Sequence, residues 1–271
     1  AFIEGLRWRD GSLWFSDMHG FTVQRLSSNE GIQQVCTLPH RPSGLGWLPD
    51  GRLLVVSMMD RRLMRMDMDG SLVCHADMSH LAPRRTNDMV VDAKGRAYVG
   101  NFGFDFDEGE SPASTCLIRV DPDGGVHKAA DGLMFPNGAV ITPDGGTLIV
   151  AETFAGQLTA FDISPNGGLS NQRVWASLPE GTAPDGICLD QDRGVWAASP
   201  TTGTCIRITE GGAVTDTIVT GRQAIACTLG GSDMNTLFIA TSHSTHHDEC
   251  RQTPNSEIVA VDVAIPGTGS P

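Results

Sequence analysis

The chain repeats one phrase. Its clearest copy, FPNGAVITPDGGTLIVAE over 135–152, sets a polar residue (Asn137) and a glycine before a short apolar run, Ala139 to Ile141. A turn at Pro143-Asp144-Gly145 follows, then a second apolar run from Leu148 to Val150. Apolar runs this short, bounded by Pro, Asp and Gly, specify a pair of buried strands joined by a tight reversal. The phrase recurs as EGLRWRDGSLWFSD from Glu4, SGLGWLPDGRLLVVS from Ser43, NDMVVDAKGRAYVGN from Asn87 and DGICLDQDRGVWAAS from Asp185. A blurred copy, AIACTLGGSDMNTLFIATS, begins at Ala224, so six copies lie about 40 to 50 residues apart. That period is the length of a four-stranded propeller blade. The spacing therefore predicts an all-β, six-bladed β-propeller with four antiparallel strands per blade, one domain over residues 1–271.

Size and composition agree with this reading. A chain of 271 residues buries roughly 73% of its extended surface on folding, ample for a continuous core. Glycine, 32 residues, is enriched as blades full of tight turns require. No linker or low-complexity run interrupts the repeats, and no apolar stretch is long enough to span a membrane. The chain opens at Ala1, without Met and only three residues before the first copy, so further N-terminal sequence is expected to be missing. Such residues are candidates for a strand that closes the last blade. The formal net charge of −13 argues against nucleic acid or an anionic membrane as a partner. Seven scattered cysteines without a CxxC pair read as free thiols in a reducing, cytoplasmic compartment.

Each blade can be drawn coarsely. In the first, Leu6 to Trp8 form the inner strand and Leu13 to Phe15 the return strand, with outer strands around Thr22 to Leu26 and Gln33 to Leu38. The second has outer strands near Leu63 to Met66 and Ser71 to His75. The third departs most, with NFGFDFDEGESPAST inserted before Cys116 to Val120. Gln157 to Ile163 and Cys205 to Thr209 continue blades four and five. HSTHHDECRQTPN, 243–255, interrupts blade six before Glu257 to Val263.

The inner strand of each blade lies beside the central channel, so the residue that opens it is presented at one channel mouth. Around the ring that position reads Glu4, Ser43, Asn87, Asn137, Asp185 and Gln223 or Ala224. Two carboxylates and two carboxamides converging on one axis are costly to bury unless neutralised, and a divalent cation would neutralise them. Oxygen donors suit Ca²⁺, Mg²⁺ or Mn²⁺ and do not exclude Zn²⁺. The bland alternative is that Asn, Asp and Ser before Gly are ordinary turn residues. Glu, Asn and Asp together at one register position favour the metal.

EGLRW at Glu4, RTNDMVVDAKGRAYVGNFGFD from Arg85, FPNGAVITPDGGTLIVAET from Phe135 and APDGICLDQDRGVWAAS from Ala183 carry a resemblance. Four such motifs, in order and over essentially the whole chain, resemble the gluconolactonase, regucalcin and luciferin-regenerating enzyme family. The resemblance implies a six-bladed propeller with one catalytic divalent metal at the channel mouth, Ca²⁺ first, with Zn²⁺, Mn²⁺ or Mg²⁺ as alternatives. It implies Glu4, Asn137 and Asp185 as metal ligands, and Arg85 and Asn87 as substrate contacts. The implied activity is hydrolysis of a lactone or related ester, in a monomer or small homo-oligomer. Asp185 would double as general base. The 101–115 insert and the blade-six loop depart from the family pattern and leave the substrate open. Phosphotriester hydrolysis on the same site is the alternative chemistry, since family membership does not fix a substrate.

Other chemistry lacks support. The sequence has no GxSxG, HExxH, GxGxxG or Walker pattern. HSTHHDEC offers His243, His246, His247, Asp248, Glu249 and Cys250 as ligands, but a His-rich surface loop is more often simply polar. His19 and His243, just after return strands, are candidates for acid–base or substrate contacts at the rim. Asp105, within the acidic run Asp105, Asp107, Glu108 and Glu110, is a further rim candidate in what reads as a solvated lid. Met18, Met58 and Met59 fall on rim loops, where they fill core or form an apolar wall. A non-catalytic binding propeller is the second function class. Such a protein has no need of two carboxylates and an Asn at the ring position.

Overall fold

Every copy of the phrase folds as an antiparallel pair, and its sheet is completed by two outer strands in blades one to five and, among the described residues, by one in blade six. The computed structural model describes residues 1–253 and 256–269. Blade one comprises β1 (Ile3–Arg9), β2 (Ser12–Asp17), β3 (Thr22–Ser27) and β4 (Gly31–Thr37). Blade two comprises β5 (Pro42–Trp47), β6 (Leu53–Ser57), β7 (Arg62–Met66) and β8 (Leu72–Asp77). Blade three is built of β9 (Thr86–Val91), β10 (Ala97–Asn101), β11 (Thr115–Val120) and β12 (Val126–Leu133). Blade four is built of β13 (Pro136–Ile141), β14 (Thr147–Glu152), β15 (Gln157–Ile163) and β16 (Leu169–Ser177). Blade five holds β17 (Ile187–Leu189), β18 (Val195–Ser199), β19 (Thr204–Ile208) and β20 (Val214–Val219). Blade six holds β21 (Gln223–Gly230), β22 (Thr236–Ser242), the short helix α1 (His247–Gln252) and β23 (Glu257–Asp262). All pairings are antiparallel between strands consecutive in the chain, and the sixth sheet has three strands among the described residues. Pro254 and Asn255 of the blade-six loop lie outside the described residues, as do Ser270 and Pro271.

Each middle strand is apolar on both faces because it is covered on both. In β6, Leu53 and Val55 pack with Val23 and Leu38 of blade one, while Leu54 and Val56 pack with Met89 and Val99 of blade three. Side chains alternate across the pleat, so successive residues serve successive interfaces. The other interfaces follow suit, for example Ile149 and Leu158 against Ile187 and Ile206, or Leu6 and Phe15 against Ala226 and Ala240. The ring closes between blades six and one by side-chain packing, with Trp8 stacked on Phe238 at 5.4 Å.

One backbone irregularity positions the site. In blades one to four and six the inner strand carries an extra residue opposite its return strand, between Glu4 and Arg7, Pro42 and Leu45, Thr86 and Met89, Pro136 and Ala139, and Ala224 and Ala226. Such bulges bend a strand and re-aim its side chains. In blade five regular pairing begins only at Ile187, just after Asp185. The bulge also brings neighbouring inner strands together. Gly138 donates its N–H to the Asp185 carbonyl at 3.1 Å, and a Cβ on Gly138 would lie 2.6 Å from that oxygen.

Candidate active site

The ring residues read from the repeat lie at the bulged ends of the inner strands in blades one to four and six, and in blade five Asp185 lies just before β17. Glu4, Ser43, Asn87, Asn137 and Asp185 are buried, and Gln223 is half-buried. Four of them hold buried polar atoms with no hydrogen-bond partner: Ser43 Oγ, Asn87 Nδ2, Asp185 Oδ1 and Gln223 Oε1. Buried polar atoms are nearly always paired, so several orphans at one repeat position mark a place built for something else.

Electrostatics point the same way. Burial pushes the Glu4 carboxyl well above the usual range, and the nearby charges of Asp185 and Asp88 push it further, against Gly5 N–H and Arg7. Burial likewise pushes Asp185 up to about 8, opposed by the Asn137 amide and reinforced by Asp88. Two carboxyls from blades one and five thus repel one another in a desolvated mouth, and only protons or a cation can compensate them. The donor set fits a hard divalent cation: Glu4 and Asp185 carboxylates, the Asn137 carboxamide and unpartnered oxygens beside them. No three of His, Cys, Asp and Glu cluster for a metal among the described residues. The mouth itself contributes two such residues to the proposed ligand set and draws its third oxygen from an amide. The Asn137 side chain is held by Thr153 Oγ1 at 3.2 Å, and that hydroxyl donates to the Pro184 carbonyl at 2.8 Å. This chain links the ligand-bearing segments of blades four and five.

Beneath the ring lies a pair that the sequence did not disclose. Arg7, buried on β1, donates Nη2 to Asp88 Oδ1 at 2.6 Å and to the Met89 carbonyl at 2.7 Å, and Nε to the Leu45 carbonyl at 3.0 Å. The guanidinium thus ties blade one to blades two and three, three residues along β1 from Glu4. Asp88 stands where blades one, two, four and five have Gly5, Gly44, Gly138 and Gly186. That exception in the X-Gly pattern was its only signal in the sequence.

A second ring stands two residues before the first. It reads Phe2, Arg41, Arg85, Phe135, Ala183 and Gly221. Arg85 reaches into the blade-three insert: its Nη2 lies 2.7 Å from Asp107 and 3.9 Å from Asp105, and its guanidinium stands 5.9 Å from the Phe102 ring. The lid is pinned again by Arg84 to Glu110. Asn87 belongs to the lower ring, so the structure separates the two proposed substrate contacts: Asn87 at the mouth, Arg85 above it and already ion-paired.

His19 is buried against Phe2 (ring centroids 5.3 Å) and edge-on to His247 (4.9 Å). Burial, then the Arg41 charge, pulls it down to about 4, so near neutral pH it is an uncharged imidazole whose surroundings disfavour protonation. His243 is exposed on the segment between β22 and α1. The rest of that segment folds inward: Cys250 of α1 joins Phe2, Met18, Met58 and Ile225 in an apolar cluster. Met18 and Met58 are therefore core, while Met59 is 40% exposed.

The six-bladed, all-β propeller defines the fold class. The chain belongs to the SMP-30/gluconolactonase/LRE-like family, whose defining region matches residues 2–243. It is 27% identical over 247 residues to regucalcin of Danio rerio, covering 87% of this chain and 80% of that one. It is 24% identical over 270 residues to 6-deoxy-6-sulfogluconolactonase of Pseudomonas putida, covering 97% and 91% respectively. Among solved structures, a luciferin-regenerating enzyme superposes with a TM-score of 0.83 at 18% identity, over 99% of this chain and 94% of that one. That level of identity speaks for the fold alone.

Proposed function

We propose that the protein is a divalent-metal-dependent lactone hydrolase acting at this channel mouth. One observation carries the reading: Glu4 and Asp185, buried carboxyls from blades one and five, confront each other, and Asp185 Oδ1 is left unpartnered. The relative named as a sugar-acid lactonase, aligned over nearly the whole chain, supports the reaction class. In this reading Glu4, Asn137 and Asp185 hold the ion, Ca²⁺ first. A bound cation supplies an electrophile for the lactone carbonyl and lowers the pKa of water.

The chain's own residues do the rest. Asp185 accepts a proton from the attacking water as its oxygen bonds to the carbonyl carbon. The ring C–O bond then breaks, and the proton passes to the departing alkoxide, leaving a hydroxy acid. Asn87, with its free Nδ2, donates to an oxygen of the bound ring and orients it. The Arg7–Asp88 pair, buried beside Glu4, holds the inner strands of blades one and three in place. The free cysteines among the described residues fit a reducing compartment, and we place the protein in the cytoplasm.

The test is chelation. Purified protein stripped of metal should remain folded by circular dichroism and lose lactone hydrolysis, and Ca²⁺, Zn²⁺, Mn²⁺ or Mg²⁺ should restore it. Undiminished turnover by rigorously metal-free protein would overturn the reading.

A further inference from the structure

Half of the ten phenylalanines in the chain gather at one side of the mouth. Phe135 is the hub: its ring centroid lies 4.2 Å from Phe102, 5.2 Å from Phe154, 5.8 Å from Phe104 and 6.4 Å from Phe106. Phe104 and Phe106 lie in the insert after β10, and Phe154 follows β14, so the wall spans blades three and four. Phe135 is held at φ 60°, a conformation costly for a bulky side chain, two residues before Asn137. Phe154 follows Thr153, whose hydroxyl takes the Asn137 amide. The wall thus stands directly over the Asn137 side of the ring.

Only part of it is buried. Phe104 and Phe135 anchor the insert at 3% and 7% exposure, whereas Phe106 and Phe154 are left 47% and 41% exposed beside them. Water-facing rings set at a mouth are unfavourable until something apolar covers them. The arginines that face the same lid are already engaged, Arg84 with Glu110 and Arg85 with Asp107. A polyhydroxylated ring would find few free donors on that side, and an alkyl or aryl substituent would find an aromatic face.

We propose that this wall is a subsite for an apolar substituent, so that the substrates are lactones bearing a hydrocarbon arm rather than sugar lactones. The inference rests on the lactonase reading above and specifies its substrate class. Metal-loaded protein is assayed with γ-butyrolactone, γ-octalactone, γ-decalactone and glucono-1,5-lactone. The burial free energy of a methylene corresponds to a factor of up to about four, so kcat/KM is expected to rise roughly two- to fourfold per added CH₂ until the wall is covered. γ-Octalactone should exceed γ-butyrolactone by at least about tenfold, and glucono-1,5-lactone should be the poorest of the four. The double variant Phe106→Ala/Phe154→Ala removes the two rings left most exposed, and its turnover of γ-butyrolactone reports that the fold is kept. It should lose about tenfold or more on γ-octalactone and less than about twofold on γ-butyrolactone.

A flat chain-length series, or preference for glucono-1,5-lactone, with hydrolysis intact would overturn the subsite and leave the lactonase reading standing. If no lactone is hydrolysed, the lactonase reading fails. The wall is then judged by calorimetric binding of 5-alkyl-2-pyrrolidinones, which resist hydrolysis. Affinity that rises with chain length and is lost in the double variant supports the subsite; affinity indifferent to either overturns it.

Discussion

On the proposed reading Asp185 is ligand and base at once, and the two roles can be separated. Asp185→Asn keeps an oxygen for an ion but removes a negative charge and the proton acceptor. Its kcat should fall by about 10² to 10⁴, the usual contribution of a general base, with metal partly retained. Asn87→Ala touches the metal only indirectly on this reading. It should keep normal metal content and lose kcat/KM, with KM raised if the contact serves ground state and transition state alike. Steady-state kinetics with metal analysis of both purified variants decides the assignment, and full activity in Asp185→Asn would shift the search to His19. His19 offers a pH test of its own. Its folded-state value, about 4, lies below the ordinary 6.5, so its stabilising contribution is complete above 6.5 and is lost as pH falls through about 4. Subtracting the melting curve of His19→Phe from that of the wild type should reveal this acid-side loss. An unchanged difference between pH 7 and 4 would contradict the buried neutral imidazole.

The inner strand is the element that turns repetition into a site. Its bulge aims one side chain into the mouth, and the glycine beside that residue lets the next blade approach within hydrogen-bonding distance. At Gly138 a Cβ would fall 2.6 Å from both the Asp185 carbonyl oxygen and the Ile187 nitrogen, backbone atoms that cannot swing aside. Gly138→Ala should therefore cost about 1 to 3 kcal/mol, as overpacking does, and should lower metal content by parting Asn137 from Asp185. Gly146→Ala is the control. The nearest atom to its Cβ is a side-chain oxygen of Asp144 at 3.3 Å, in a surface turn. Denaturant melts and metal analysis of the pair read both effects; equal behaviour would mean that inter-blade contact does not govern the site. Strand existence and order were legible from apolar runs and turn residues at a fixed period. The bulges were not, because an extra residue in one strand shows only against its partner.

At the scale of the whole molecule, the mouth couples ring closure to charge. Cation binding to the folded ring alone should raise the melting temperature, by an amount equivalent to about 2.7 kcal/mol at a hundredfold excess over Kd. Because Glu4 and Asp185 are both raised, Asp185 to about 8, binding near neutral pH should also expel protons. Titration calorimetry in buffers of different ionisation enthalpy measures that release, which should shrink as pH rises past about 8. Binding without proton release at pH 7 would contradict the buried, protonated pair. The sequence by itself determined the number of blades, the inner and return strands of each, and the polar residue at the start of each copy. All of these follow from local pattern, repeated at constant spacing. It could not determine that Arg7 meets Asp88 across two blades, or that Arg85 turns to Asp107. Nor could it assemble five phenylalanines from three segments into one wall. Those partners lie far apart in the chain or within an insert outside the repeat, so periodicity carries no information about them. Closure of the ring sets blades one and three around one axis and so joins Arg7 to Asp88, while the fold of the insert against blade four joins Arg85 to Asp107 and assembles the phenylalanines.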